Sequence, residues 1–93
     1  MSDSLPSQRN YEPVNRHEMV VIATVMDELR RAQAKFGPIA STHEGYAVIR
    51  EEIDEFWDGV KTKGTTPDAL RGELVQVAAM AMRTIIDCLM GET

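Results

Sequence analysis

The stretch Arg71–Met90, "RGELVQVAAMAMRTIIDCLM", decides how this chain is read. Wound at 3.6 residues per turn, its apolar residues cover roughly two-thirds of a helix circumference. A helix of that kind belongs at the centre of a bundle, with neighbours on several sides. Yet Glu73, Gln76, Arg83 and Asp87 fall on it as one polar stripe, with Met80 and Thr84 among them. A charge removed from water is costly unless it is paired, holds a metal or lines a wet cleft. These four residues therefore need partners, and the rest of the chain must supply them.

Two more helices lie upstream. Thr66 is placed to cap the third helix, with Pro67 at its first position and Asp68 in its acidic first turn. A second helix begins at Ser41, with Glu44 as a capping-box partner, and Gly64 closes it. Tyr46, Ile49, Ile53, Phe56, Trp57 and Val60 recur along it as an apolar stripe. The first helix follows Asn15, with Glu18 three residues on. It carries Ile22, Val25, Met26, Leu29, Ala32 and Phe36 at helical spacing. It stops at "FGP", where Gly37 suits a left-handed cap and Pro38 cannot continue the helix. No strand-like alternation competes.

The expectation is an all-α, antiparallel helical bundle forming a single domain over residues 15–93, after a flexible tail over residues 1–14. Short loops make successive helices antiparallel. Two neighbours from one chain of 93 residues cannot cover a third helix this apolar, so oligomerisation, as a homodimer or homotetramer, is expected to complete the bundle.

Composition narrows the function. The one cysteine, Cys88, leaves no intrachain disulfide and fits a reducing, cytoplasmic setting; it reads as a small core residue. No Cys/His group has zinc-ligand spacing. The opening "MSDSLPSQRNYEPVN" lacks the pattern of a secretory signal, and charges interrupt every long apolar run. A net charge of -5 argues against nucleic-acid binding through a broad basic surface. It leaves open a nucleotide held through a metal ion, because the metal inverts the local charge logic.

The second helix holds "REEIDEFWDGV". With Ile53 at the centre of its apolar face, Glu52 and Glu55 share one flank with Gly45, Val48, Phe56 and Gly59. Glu44, Glu51, Asp54 and Asp58 face the other way, towards water. In an antiparallel hairpin about the Gly64 loop, Glu55 stands level with Glu73, and Glu52 with Gln76. Two pairs, each spaced (i, i+3), thus meet across the hairpin, and three carboxylates converge with one amide oxygen. Like charges so close repel unless a cation lies between them. Hard oxygen donors suit Mg2+, or Mn2+, rather than zinc. Plainer readings exist for each part. An acidic run is commonly a solvated face, Glu73 suits the positive end of its helix, and Gln76 can be a satisfied buried amide. A di-iron carboxylate site would want a Glu-x-x-His pair, and the chain has none.

The order "E-I-D-E" at 52–55, a gap, then "E-L-V-Q" at 73–76 resembles the MazG-like all-α nucleotide pyrophosphohydrolases. That superfamily also includes dimeric dUTPases and dCTPases. Its pattern is ExxE, a spacer, then ExxD on two antiparallel helices, and the resemblance spans about Ser41 to Leu89. It implies magnesium-dependent hydrolysis of a nucleoside triphosphate to the monophosphate and pyrophosphate. Glu52, Glu55 and Glu73 would be metal ligands and catalytic residues, with Gln76 at the fourth ligand position. The chain departs from the pattern there: an amide oxygen can ligate magnesium but brings no charge and cannot act as a base. Asp87, roughly 16 Å further along the helix, is too far to substitute. The alternative is a catalytically weak or inactive relative that binds nucleotide or a protein partner, or serves as an oligomerisation module.

Candidate phosphate-binding groups are Lys35 and Arg83. Each has a structural reading beside that one: Lys35 suits its helix C-terminus, as do Lys61 and Lys63 theirs, and Arg83 is placed to pair with Asp87 at (i, i+4). Phe56, Trp57 and Tyr46 can stack a base but read first as core. Met80, Met82 and Met90 read as adaptable packing, and His17 and His43 as solvent-facing.

Overall fold

A computed structural model describes residues 12–91. Most of the expected tail, residues 1–11, lies outside the described residues. Three helices and a short terminal turn make up the described chain: α1 (Arg16–Lys35), α2 (Thr42–Lys61), α3 (Pro67–Thr84) and a π-helical turn (Ile85–Leu89). No strand occurs among the described residues.

The helix starts follow the local chemistry. Asn15 Oδ1 accepts from Glu18 N at 2.8 Å, and Asn15 N donates to Glu18 Oε1 at 2.9 Å, a reciprocal capping box. Ser41 Oγ accepts from Glu44 N, but the Glu44 carboxylate takes the Ala40 N–H rather than that of Ser41, so this box is shifted by one residue. Thr66 caps α3 by accepting from Ala69 N. The stops differ from expectation at Gly37. Phe36 ends α1 in extended backbone, and Gly37 is not left-handed; only Gly64 and Gly91 have positive φ among the described residues. Pro38 explains this, because a proline holds the preceding residue near extended conformations. Gly64, at φ 92°, makes the tight turn between α2 and α3.

α3 is the central element. It packs against both α1 and α2, which scarcely touch one another. The core is Val25, Leu29 and Ala32 of α1 against Ala79 and Met80 of α3, with Met26, Val48, Ile49, Val75, Ala78 and Met82 half-buried around it. The burial is thin: no large side chain among the described residues is fully enclosed. Met19, Val20, Val21 and Ile22 on α1, and Ile53, Trp57 and Val60 on α2, are all exposed.

The face of α2 that meets α3 is rotated from the one expected. Ile53 does not lie at its centre; Gly45, Val48, Ile49, Glu52, Phe56 and Gly59 are the buried or half-buried positions, while Tyr46 and Trp57 are exposed. Two glycines decide this. A Cβ on Gly45 would come within 2.5 Å of Thr84 Cγ2, and one on Gly59 within 3.1 Å of Leu70 Cδ2. The helices approach closely along the glycine edge, which brings Glu52 inward with it.

Beyond Thr84 the backbone widens into the π-helical turn, which the periodicity of the sequence does not signal. The turn carries Asp87 and Cys88 to the α1–α2 loop: Asp87 Oδ2 accepts from Ile39 N at 2.8 Å, and Cys88 Sγ lies 3.4 Å from Ile39 O. Among the described residues, no helix is long and apolar enough to cross a membrane.

Candidate functional site

The hairpin of α2 and α3 brings Glu52, Glu55 and Glu73 together. One carboxylate oxygen from each lies within 4.8 Å of the others. Glu52 and Glu73 are half-buried and Glu55 is exposed. The level alignment expected from the sequence is therefore met, although α2 is rotated about its axis. The reason is that Glu52 and Glu55 lie on the glycine edge, which is the edge that turns towards α3.

The electrostatics follow from this crowding. The Glu52 carboxyl is pushed up to about 7, first by its burial and then by the charges of Glu55 and Glu73. Glu73 is raised for the same reasons, burial first and then Glu55. No ion pair among the described residues engages any of the three. A set of hard carboxylate oxygens with mutual repulsion fits a divalent cation, and by itself does not select magnesium among them.

Gln76 joins the three glutamates, Ala69 and Gly72 in lining a cleft of about 470 Å³. It is half-buried and also faces Glu28 of α1, a residue the sequence reading did not single out. Glu28 is bonded by Arg31 at 2.6 and 2.9 Å, and the Arg31 guanidinium holds its carboxyl below the usual range against the cost of burial, with a smaller contribution from Gln76. The signal was present: Glu28 lies between Val25 and Ala32 on the apolar stripe of α1, where a carboxylate is out of place.

A second cleft, of about 530 Å³, opens on the other side of Glu52 and Gln76, which line both. Its walls come from the end of α1, the α1–α2 loop, α2 and α3, and include Phe36, Met80 and Arg83. Arg83 is only 5% exposed. The expected Arg83–Asp87 pair does not form. The π-helical turn carries Asp87 to Ile39 N, while Arg83 Nη2 donates to Gly37 O at 2.7 Å and its guanidinium carbon lies 5.9 Å from the Phe36 ring centre. Arg83 Nε has no hydrogen-bond partner.

The remaining candidates lie further off. The Lys35 ammonium sits 5.3 Å from the Phe36 ring centre and lines neither cleft. Lys61 lies 3.7 Å from Asp58 and 5.7 Å from the Trp57 ring centre. His17 and His43 are exposed, and Cys88 is half-buried. Compared with protein-family models, curated proteins and solved structures, the chain matches none.

Proposed function

We propose that this chain is a magnesium-dependent nucleoside triphosphate pyrophosphohydrolase of MazG-like type, converting a nucleoside or deoxynucleoside triphosphate to the monophosphate and pyrophosphate. The observation that carries the reading is the convergence of Glu52, Glu55 and Glu73 within 4.8 Å. These are the residues that match the family's ExxE and first ExxD positions.

In this reading Glu52, Glu55 and Glu73 hold the ion, and Gln76 adds a neutral oxygen. A bound magnesium ion supplies charge neutralisation on phosphate oxygens and a lowered pKa for water. The chain's own residues do the rest. Glu52, half-buried where the two clefts meet, is placed to orient the attacking water and accept its proton. Water attacks, the bond to the pyrophosphate group breaks, and the proton passes to the glutamate. A second copy of the chain covers the exposed apolar faces of α1 and α2 in this picture, and sedimentation at micromolar concentration tests it: a clean monomer removes that part.

The neutral amide of Gln76 favours a second reading, a weak or inactive relative that retains nucleotide binding. Pyrophosphate release over a panel of triphosphates with Mg2+ and Mn2+ separates the two. Glu52→Gln abolishes release if the first holds, and Gln76→Asp raises it by about tenfold or more where the missing charge limits turnover, an effect of about 1.4 kcal/mol. No release by any variant, with no metal-dependent thermal shift, leaves the second.

A further inference from the structure

We propose that the cleft beside the carboxylate cluster seats the base of the nucleotide, and that Arg83 reads a carbonyl oxygen on it. This rests on the nucleotide reading above and specifies the substrate class: nucleotides with a keto-bearing base, in preference to adenine. Three observations carry it. Glu52 and Gln76 line both the cluster's cleft and the cleft of about 530 Å³, so a ligand with phosphates at the first extends naturally into the second. The volume suits a small organic ring system. The third observation is Arg83 itself. It is a 95% buried cation, from the 5% exposure of the residue, and no carboxylate among the described residues bonds it. A guanidinium has five N–H donors; here the acceptors are Gly37 O and, at 3.8 Å, the weak Met80 thioether, and Nε has none. Nε is enclosed, but Nη1 is met only by the weak thioether, so the guanidinium lining the cleft gains from an acceptor delivered to that end of its fork.

The surroundings decide which acceptor. Glu28, Glu44 and Glu51 also line this cleft. Arg31 neutralises Glu28 and Ala40 N occupies Glu44, but Glu51 is exposed and unpaired among the described residues. A free anion entering would meet these carboxylates. A neutral planar ring would not, and its carbonyl oxygen would meet Arg83 while its edge N–H groups face carboxylate oxygens. The walls beside Arg83 suit such a ring: Phe36, half-exposed at 53%, offers an aromatic face, and Met80 and Ala32 are buried apolar surface. Gly37 O and the Phe36 ring hold the guanidinium in place before anything binds. Adenine has no carbonyl and would leave the donors as they are.

The test uses the full chain and the nucleoside monophosphates CMP, GMP, UMP and AMP, with binding followed by calorimetry in Mn2+. Wild type is expected to bind the keto-bearing monophosphates at least tenfold more tightly than AMP, within the range set by a hydrogen bond to a charged group. Arg83→Lys keeps the charge, loses the fork, and is expected to bring the ratio near one. Because Arg83 also tethers Gly37, a second variant guards against misfolding. Gly37 lines the cleft and a Cβ there meets nothing within 4 Å, so Gly37→Trp adds bulk at the cleft wall without a clash at its Cβ. It is expected to weaken all four monophosphates about tenfold while Mn2+ binding to the glutamates persists. Equal affinity for AMP, or an unchanged ratio in folded Arg83→Lys, overturns the proposal. So does displacement of CMP by inorganic triphosphate in the absence of metal, which would make the cleft an anion site. Loss of base selectivity alongside intact pyrophosphate release sinks this inference alone. Selective, Arg83-dependent binding without any release sinks the hydrolase reading alone.

Discussion

At the turn end of the α2–α3 pair, Glu52, Glu55 and Glu73 converge, and no basic side chain among the described residues bonds them. At the far end Thr84, Asp87 and Cys88 each have a partner within the chain. Thr84 Oγ1 donates to Met80 O at 2.9 Å, Asp87 holds Ile39 N, and Cys88 approaches Ile39 O. Gly45 lets Thr84 against the helix. The two ends are built from the same kind of helix pair with a glycine on the α2 side of each. What separates them is where the polar groups find partners. Those satisfied within the chain fix geometry; those that repel one another store a cost that a proton or a cation relieves. Arg83 stands between the two, tethered at one nitrogen and unpartnered at another.

The largest expected effect lies at the far end. Gly45→Ala places a methyl 2.5 Å from Thr84 Cγ2 and 2.6 Å from its Oγ1. Thr84 is β-branched, buried and held by its bond to Met80 O, so it cannot swing away cheaply. Overpacking of this kind costs roughly 1–3 kcal/mol, beyond what alanine gains in helix propensity. Urea unfolding checks this, and adding Thr84→Ala is expected to recover about half. A stable Gly45→Ala would mean that the helices there are free to separate, and the comparison would fail at its rigid end.

The next test applies one carboxylate substitution at each end. Asp87→Ala leaves the N–H of buried Ile39 without its acceptor and is expected to cost about 1–2 kcal/mol. Glu52→Gln removes a charge from a repelling cluster and is expected to stabilise the metal-free protein by up to about 1 kcal/mol at neutral pH, while removing metal binding. Opposite signs sharpen the contrast. Destabilisation by both would show that the glutamates are structural.

How much of this was legible in the sequence depends on the range of each interaction. The capping residues Asn15, Ser41 and Thr66 announced the helix starts because a cap is a contact with a residue three positions away. The alignment of Glu52, Glu55 and Glu73 was legible because a short turn fixes hairpin height, and height depends only on residue number. Rotation of α2 was not. Projection centred the helix on its bulky apolar residues, whereas Gly45 and Gly59 let it roll towards its small edge, leaving Ile53 and Trp57 outside. Gly37 was misread because Pro38 constrains it more strongly than the helix end does. The Arg83–Asp87 pair was expected from regular α-helical spacing, and the π-helical turn breaks that spacing between them. Glu28 was visible on its stripe, but only the packing of α1 on α3 reveals that it faces Gln76.

The smallest expected effect is the dependence of stability on pH, and its sign is the reverse of the usual carboxylate case. Glu52 is raised from an ordinary 4.5 to about 7 in the folded chain, and Glu73 is raised as well. Between these values the folded state holds a proton that the unfolded state has released. The contribution of these two groups is therefore greatest below the ordinary carboxylate range and is lost as pH rises from about 4.5 to 7, whereas Glu28, held low by Arg31, contributes in the opposite sense at more acid pH. Water at the partly open site screens the effect, so the loss is on the order of 1 kcal/mol. Chelator-treated protein, unfolded in urea at intervals across this range, is expected to show it. Saturating Mn2+ is expected to abolish the decline, because the ion binds the ionised glutamates of the folded state and binding strengthens as they deprotonate. Glu52→Gln is expected to flatten most of the decline, since the largest shift is gone, and the far-end variant Asp87→Ala is expected to leave it unchanged while lowering the whole curve. A wild-type curve that stays flat without metal would show that the three carboxylates part in solution, and the turn end would then be an acidic surface rather than a site.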